Sequence, residues 1–160
     1  MSAMIEFSVE SPRWDAAAGA QQTIRTAIEA ALAGEGACEV SVVLTDDARM
    51  RALNRAWRGK DAPTNVLSFP APEDPHQEVR FLGDIVLAFE TIEREAADEK
   101  KPLSHHLAHL AVHGTLHLLG FDHERDEDAE RMERREREIL STFGVPDPYA
   151  AADARSTEPA

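Results

Sequence analysis

Within the segment His113-Gly-Thr-Leu-His117-Leu-Leu-Gly-Phe-Asp-His123, three histidines stand at H-x3-H-x5-H spacing, the pattern a zinc ion asks of a helix followed by a turn. Residues four apart share a helix face with Cβ atoms about 5–6 Å apart, so His113 and His117 can each bring a ring nitrogen about 2.0–2.1 Å from one ion. At about 1.5 Å of rise per residue, a further helical turn would carry the third ligand out of reach. The chain must therefore leave the helix and fold back. Gly120 is placed to permit this through the left-handed backbone that glycine adopts without a Cβ penalty, and His123 returns to close the site.

Three neutral imidazoles leave a fourth position on zinc for water, the arrangement of a catalytic site. Such a water titrates near about pH 7 and supplies hydroxide. The ligand spacing and the glycine also match the metzincin protease string H-E-x-x-H-x-x-G-x-x-H, except that the general-base glutamate is replaced by Gly114. This argues against peptide hydrolysis, which needs a carboxylate to relay the proton to the leaving amine. His109 precedes His113 by one turn but stands eight residues from His117, about 12 Å along the axis. A supporting or packing role is expected for it. His105 and His106 are expected to face solvent, and His76 lies in a proline-rich loop.

The elements that must position this trio follow from periodicity. Residues 5–9 and 40–44 alternate as strands; 65–69 and 85–89 are two more, the last apolar almost throughout, as a central strand should be. A helix is expected over 14–33, ended by Gly34 and Gly36. Asp46 is a candidate cap for a second over 47–57, with Met50, Leu53 and Trp57 facing the core. The connection 70–80 exceeds the usual hairpin length, which suits either a loop over a site or a solvated connector. Residues 91–100 read as an exposed helix. Pro102 starts the apolar helix carrying the ligands, buried through Leu107, Leu110, Ala111, Leu118 and Leu119. A charged helix over 126–143 carries Glu127–Arg131, Glu130–Arg134 and Glu133–Arg137 in the favourable i, i+4 order, with Met132, Ile139, Leu140 and Phe143 as its apolar stripe.

At 160 residues with 42% hydrophobic and 29% charged residues, the chain reads as one soluble domain over 1–145 with a flexible tail over 146–160. No apolar run approaches the roughly 18 residues of a membrane span. The N-terminus leads directly into a strand pattern, so no leader is expected. One cysteine, Cys38, fits a reducing cytoplasm and reads as a small buried hydrophobe. The net charge of −13 opposes long-range attraction of nucleic acid, yet Arg49, Arg51, Arg55, Arg58 and Lys60 fall in one stretch without an acidic residue.

The histidine string, the segment Asp61-Ala-Pro-Thr-Asn-Val-Leu-Ser-Phe-Pro70, the strand Leu82-Gly-Asp-Ile-Val86 and Arg58 together resemble the YbeY family, bacterial zinc-dependent endoribonucleases of ribosomal RNA maturation. The resemblance covers roughly residues 39–143 well. It implies an α+β fold, a small mixed four-stranded sheet packed by about five helices. It also implies one zinc ion on His113, His117 and His123, and a required Arg58 in a cleft beside the metal. The implied partners are ribosomal RNA and the small ribosomal subunit, with a ribosomal protein or an assembly GTPase as further candidates. A guanidinium clamps two phosphate oxygens in a fork that lysine cannot reproduce. Arg51, Arg55 and Lys60 are candidates to hold the backbone. The missing glutamate then has an explanation, since in RNA the 2′-hydroxyl can attack with hydroxide as base, or hydroxide can attack phosphorus directly. Two other functions fit the same residues: an assembly factor with a structural or RNA-docking zinc, and a zinc hydrolase of peptide or amide bonds.

Overall fold

The N-terminal alternation becomes β1, Met4–Val9, which pairs in parallel with β2, Cys38–Thr45. The structure, a computed structural model, describes residues 3–150; of the expected tail, residues 151–160 lie outside the described residues. β2 pairs in parallel with β4, Arg80–Ala88, and β3, Val66–Pro70, adds antiparallel to β4 at the sheet edge. The order is β1-β2-β4-β3, a mixed four-stranded sheet in an α+β fold.

Helices cover both faces. On one, Val40, Val42, Leu44, Ile85 and Leu87 join Ile24, Ala27 and Ile28 of α1, Ala20–Ala31, in a single core with Leu107, Ala111 and Leu116 of α4, Leu103–Leu118. On the other, Leu67, Val86 and Ala88 meet Met50 of α2, Asp47–Arg58. Each fully buried Leu or Ile contributes roughly 1.5–3 kcal/mol, which fixes the ligand-bearing helix against the sheet. The remaining helices are α3, Phe89–Asp98, and α5, Asp126–Ser141.

Several expectations are corrected. The helix expected over 14–33 is two pieces, a 3-10 turn Pro12–Ala16 and then α1, broken where Gly19 takes φ 78°. Trp14 anchors the first piece, donating from Nε1 to the Thr45 carbonyl at 2.8 Å. β4 starts five residues earlier than expected because a register shift opposite Glu39/Val40 restores the inward face after Leu82. Gly83 enables it: φ is 135°, and a Cβ there would lie 2.2 Å from the Phe69 carbonyl oxygen. α3 buries Phe89, Thr91, Ile92 and Ala96, so it is half-buried and not an exposed helix. Trp57 does not face the core. It is 70% exposed, edge-on to Phe69 with ring centroids 5.9 Å apart, because α2 reaches its last turn at the margin of the sheet.

Candidate active site

α4 presents His113 and His117 on one face near its C-terminus, and their Nε2 atoms stand 3.2 Å apart. The helix then ends in a Schellman turn: Gly120 N–H donates to the His117 carbonyl at 3.1 Å and Phe121 N–H to the Leu116 carbonyl at 3.0 Å. Gly120 takes φ 102°, the left-handed conformation expected of it. The turn returns His123, whose ring centroid lies 5.5 Å from that of His113 and 5.0 Å from that of His117. One ring nitrogen from each of the three lies within 4.8 Å of the others.

This donor set fits a metal ion. Two ligand nitrogens on tetrahedral zinc, at bonds of about 2.0–2.1 Å, stand roughly 3.3–3.4 Å apart, close to the 3.2 Å between His113 and His117. His117 is also electrically suited to the role. Burial and the neighbouring His113 and His123 lower its pKa from 6.5 to about 4, so the neutral, metal-binding ring is its state at neutral pH. His123 is exposed while the other two are half-buried, which leaves the trio open to solvent on one side.

Behind the trio lies a network that the sequence did not disclose. The Glu136 carboxylate of α5 is fully buried; its Oε2 accepts from His113 Nδ1 at 2.7 Å and from His109 Nε2 at 3.3 Å, while Oε1 accepts from the Tyr149 hydroxyl. Desolvation raises the Glu136 pKa, but the hydrogen bonds from His109 and His113 prevail and hold it at about 2. Tyr149 is pushed up by burial and by the Glu136 charge, so it stays a donor. One signal for Glu136 was present: it stands four after Met132 and three before Ile139, a carboxylate on an apolar stripe. Nothing comparable marks Tyr149.

His109 is kept from His117 by the helical rise and serves this network beside His113 instead. His106 overturns its expectation, being buried with Nε2 2.8 Å from Glu95 Oε1, which also accepts from Asn65 Nδ2 at 2.9 Å. A cavity of about 470 Å³ opens here beside His113, walled by Asn65, Glu95, His106, His109 and Tyr149 among others. Gly114, on the sheet side of α4, is tightly packed: a Cβ would stand 3.1 Å from Ile85 Cγ2 and 3.2 Å from Ser68 Oγ, so these side chains would have to yield by a few tenths of an ångström. Ser68 Oγ donates to the Gly114 carbonyl at 3.0 Å. The place of the metzincin glutamate is thus a packing contact with β3 and β4.

The family model described as Endoribonuclease YbeY matches residues 7–144. The chain belongs to the YbeY family. YbeY proteins are endoribonucleases, hydrolases of RNA phosphodiester bonds. The chain is 56% identical over 156 residues to Endoribonuclease YbeY of Rhodopseudomonas palustris (strain BisB18), covering 92% of this chain and 93% of that one. It is 51% identical to Endoribonuclease YbeY of Nitrobacter hamburgensis, over 91% of this chain and 81% of that one. A Thermotoga maritima protein determined in solution shares the fold, with a TM-score of 0.54 and 25% identity over 88% of this chain and 91% of its own.

The basic candidates of this YbeY chain lie on α2 and the turn that follows, different elements from those that carry the histidines. Arg58 closes α2 with its side chain exposed, and Arg55 and Lys60 are exposed as well. Arg51 is already engaged, since its Nε and Nη2 meet the two Asp61 carboxylate oxygens at 2.8 and 3.0 Å.

Proposed function

We propose that this chain is a zinc-dependent endoribonuclease cutting single-stranded ribosomal RNA, in maturation of the small-subunit RNA 3′ end and in ribosome quality control. The observation that carries the reading is the facing of three imidazoles from a helix and its returning turn, at ligand spacing and open on one side. His113, His117 and His123 would hold the ion. When bound, it supplies Lewis acidity and lowers the pKa of water.

Arg58 is the proposed phosphate clamp, its fork matched to two phosphate oxygens gaining charge in the transition state. Arg55, Lys60 and Arg51 are assigned to the RNA backbone, Arg51 with the handicap of its Asp61 partner. In support, β3 is an edge strand with α4 on one face and α2 on the other, so an extended strand crossing that edge meets both helices. No helix is long and apolar enough to cross a membrane among the described residues. The proposed setting is the cytoplasm, on the small ribosomal subunit, with a ribosomal protein or assembly GTPase as partner.

The test is cleavage of a small-subunit ribosomal RNA precursor by purified protein beside an identically prepared His117→Ala variant. Cutting by the wild type alone is expected. Equal cutting by both would assign the activity to a contaminant and remove the metal from the reaction. Arg58→Ala is expected to retain zinc and fold while losing cleavage, and an unchanged rate would remove Arg58 from the mechanism.

A further inference from the structure

Glu136 is a carboxylate with no solvent exposure, and the trio alone gives no reason for it. A buried charge is tolerated only where its oxygens are satisfied, and here three side chains do so from two directions. His113 Nδ1 and His109 Nε2 reach Oε2 at 2.7 and 3.3 Å, and the Tyr149 hydroxyl reaches Oε1. His109 Nε2 also lies 3.2 Å from the Tyr149 oxygen. An ionised carboxylate can only accept hydrogen bonds. The hydrogen of neutral His113 must then sit on Nδ1, which leaves the Nε2 lone pair directed toward His117 and His123.

We propose that Glu136, braced by Tyr149 and His109, is a positioning residue that fixes the tautomer and ring orientation of His113 for metal binding. Its consequence for affinity rests on the metal reading above; its consequence for the tautomer does not. Tyr149 reaches this network from beyond α5. The family match ends at residue 144, so a residue beyond it completes the support of the site. The backbone turns back after α5 to deliver it, with Val145 N–H donating to the Leu140 carbonyl at 3.0 Å and Arg137 near Asp147 at 3.9 Å. A second metal among His109, His113 and Glu136, which also lie within 4.8 Å, is the weaker assignment. The 2.7 Å separation of His113 Nδ1 and Glu136 Oε2 is that of a hydrogen bond.

Glu136→Gln and Tyr149→Phe in the full chain separate these roles. Histidine tautomers are read by 15N NMR on metal-free protein, zinc affinity by competition with a chromophoric chelator, and fold by circular dichroism. The wild type should show His113 as the Nδ1–H tautomer. Glu136→Gln should mix the two tautomers and weaken zinc binding about ten- to a hundredfold. Tyr149→Phe should weaken it in the same direction by a smaller factor, with the fold intact. If both variants keep the wild-type tautomer and a zinc Kd within about twofold of it while melting at lower temperature, the network is structural and the proposal falls. Should Glu136→Gln fail to fold, Tyr149→Phe decides alone by the same two readouts. A wild type that binds no zinc, yet shows the tautomer that Glu136→Gln loses, would overturn the metal reading and support the control of His113.

Discussion

A proton on His117 meets two opponents, partial burial of the ring and the imidazoles of His113 and His123, and its pKa falls from 6.5 to about 4. Between those values the unfolded chain takes up a proton that the fold refuses. Stability therefore rises with pH across the window and is lost as pH falls from 6.5 toward 4. Metal-free protein should melt at progressively lower temperature over that range, and His117→Gln should show a shallower decline; matching slopes would contradict the assignment. The trio was legible in the sequence because its geometry is local, eleven residues of helix and turn. His106 and Glu136 were not, because what permits a polar group inside is a partner on another helix, Glu95 of α3 for the first and His113 of α4 for the second. Residue type alone suggests solvent for both.

At the scale of elements, the close approach of α4 to β3 and β4 at Gly114 explains why this helix cannot carry a glutamate beside its first ligand. Gly114→Ala should destabilise the protein by about 1–3 kcal/mol through overpacking, measured by urea unfolding. Gly114→Glu should not fold, since it adds an unpaired charge to the same contact. A folded Gly114→Glu protein with peptidase activity would sink this account. The start of α2 was readable, from the Asp46 side chain that accepts from Arg49 N–H at 2.9 Å; its end, at Arg58 before Gly59 in the left-handed region at φ 69°, lies one residue beyond the expected 57. The inward direction of Trp57 was misread because periodicity locates a helix face and not the margin of the sheet beneath it. The same blindness hid Asn54, which is buried and donates to the Ala62 carbonyl at 2.8 Å. The expected i, i+4 pairs of α5 gave way to Arg135–Glu138 at 3.3 Å and Arg137–Asp147 at 3.9 Å.

Over the whole molecule a charge of −13 must be overcome for RNA to approach, so binding should rest on a few cations, with a salt dependence set by how many phosphates they contact. Removing one phosphate contact to a single strand flattens the slope of log K against log salt by about 0.7. Arg55→Ala should show that flattening, and Arg51→Ala less of it, because Asp61 already neutralises Arg51. Equal slopes for the two variants would deny the distinction. Chelation should end cleavage while circular dichroism keeps its folded signal, since the core joining α1, α4 and the sheet uses none of the three ligands. Unfolding on chelation would instead favour the structural-zinc alternative. The order of the parts along the chain has a consequence in time. The last strand ends at Ala88, the helix covering the sheet begins at Leu103, and the third ligand arrives only at His123. Chains are made from the N-terminus at roughly 5–20 residues per second, so the sheet and its first helices emerge before the ligand set is complete, and α5 with Glu136 follows it. An unfinished or truncated copy stopping before His123 lacks a complete metal site, and a protein proposed to cut ribosomal RNA thus leaves the ribosome making it unharmed until its own synthesis is well advanced.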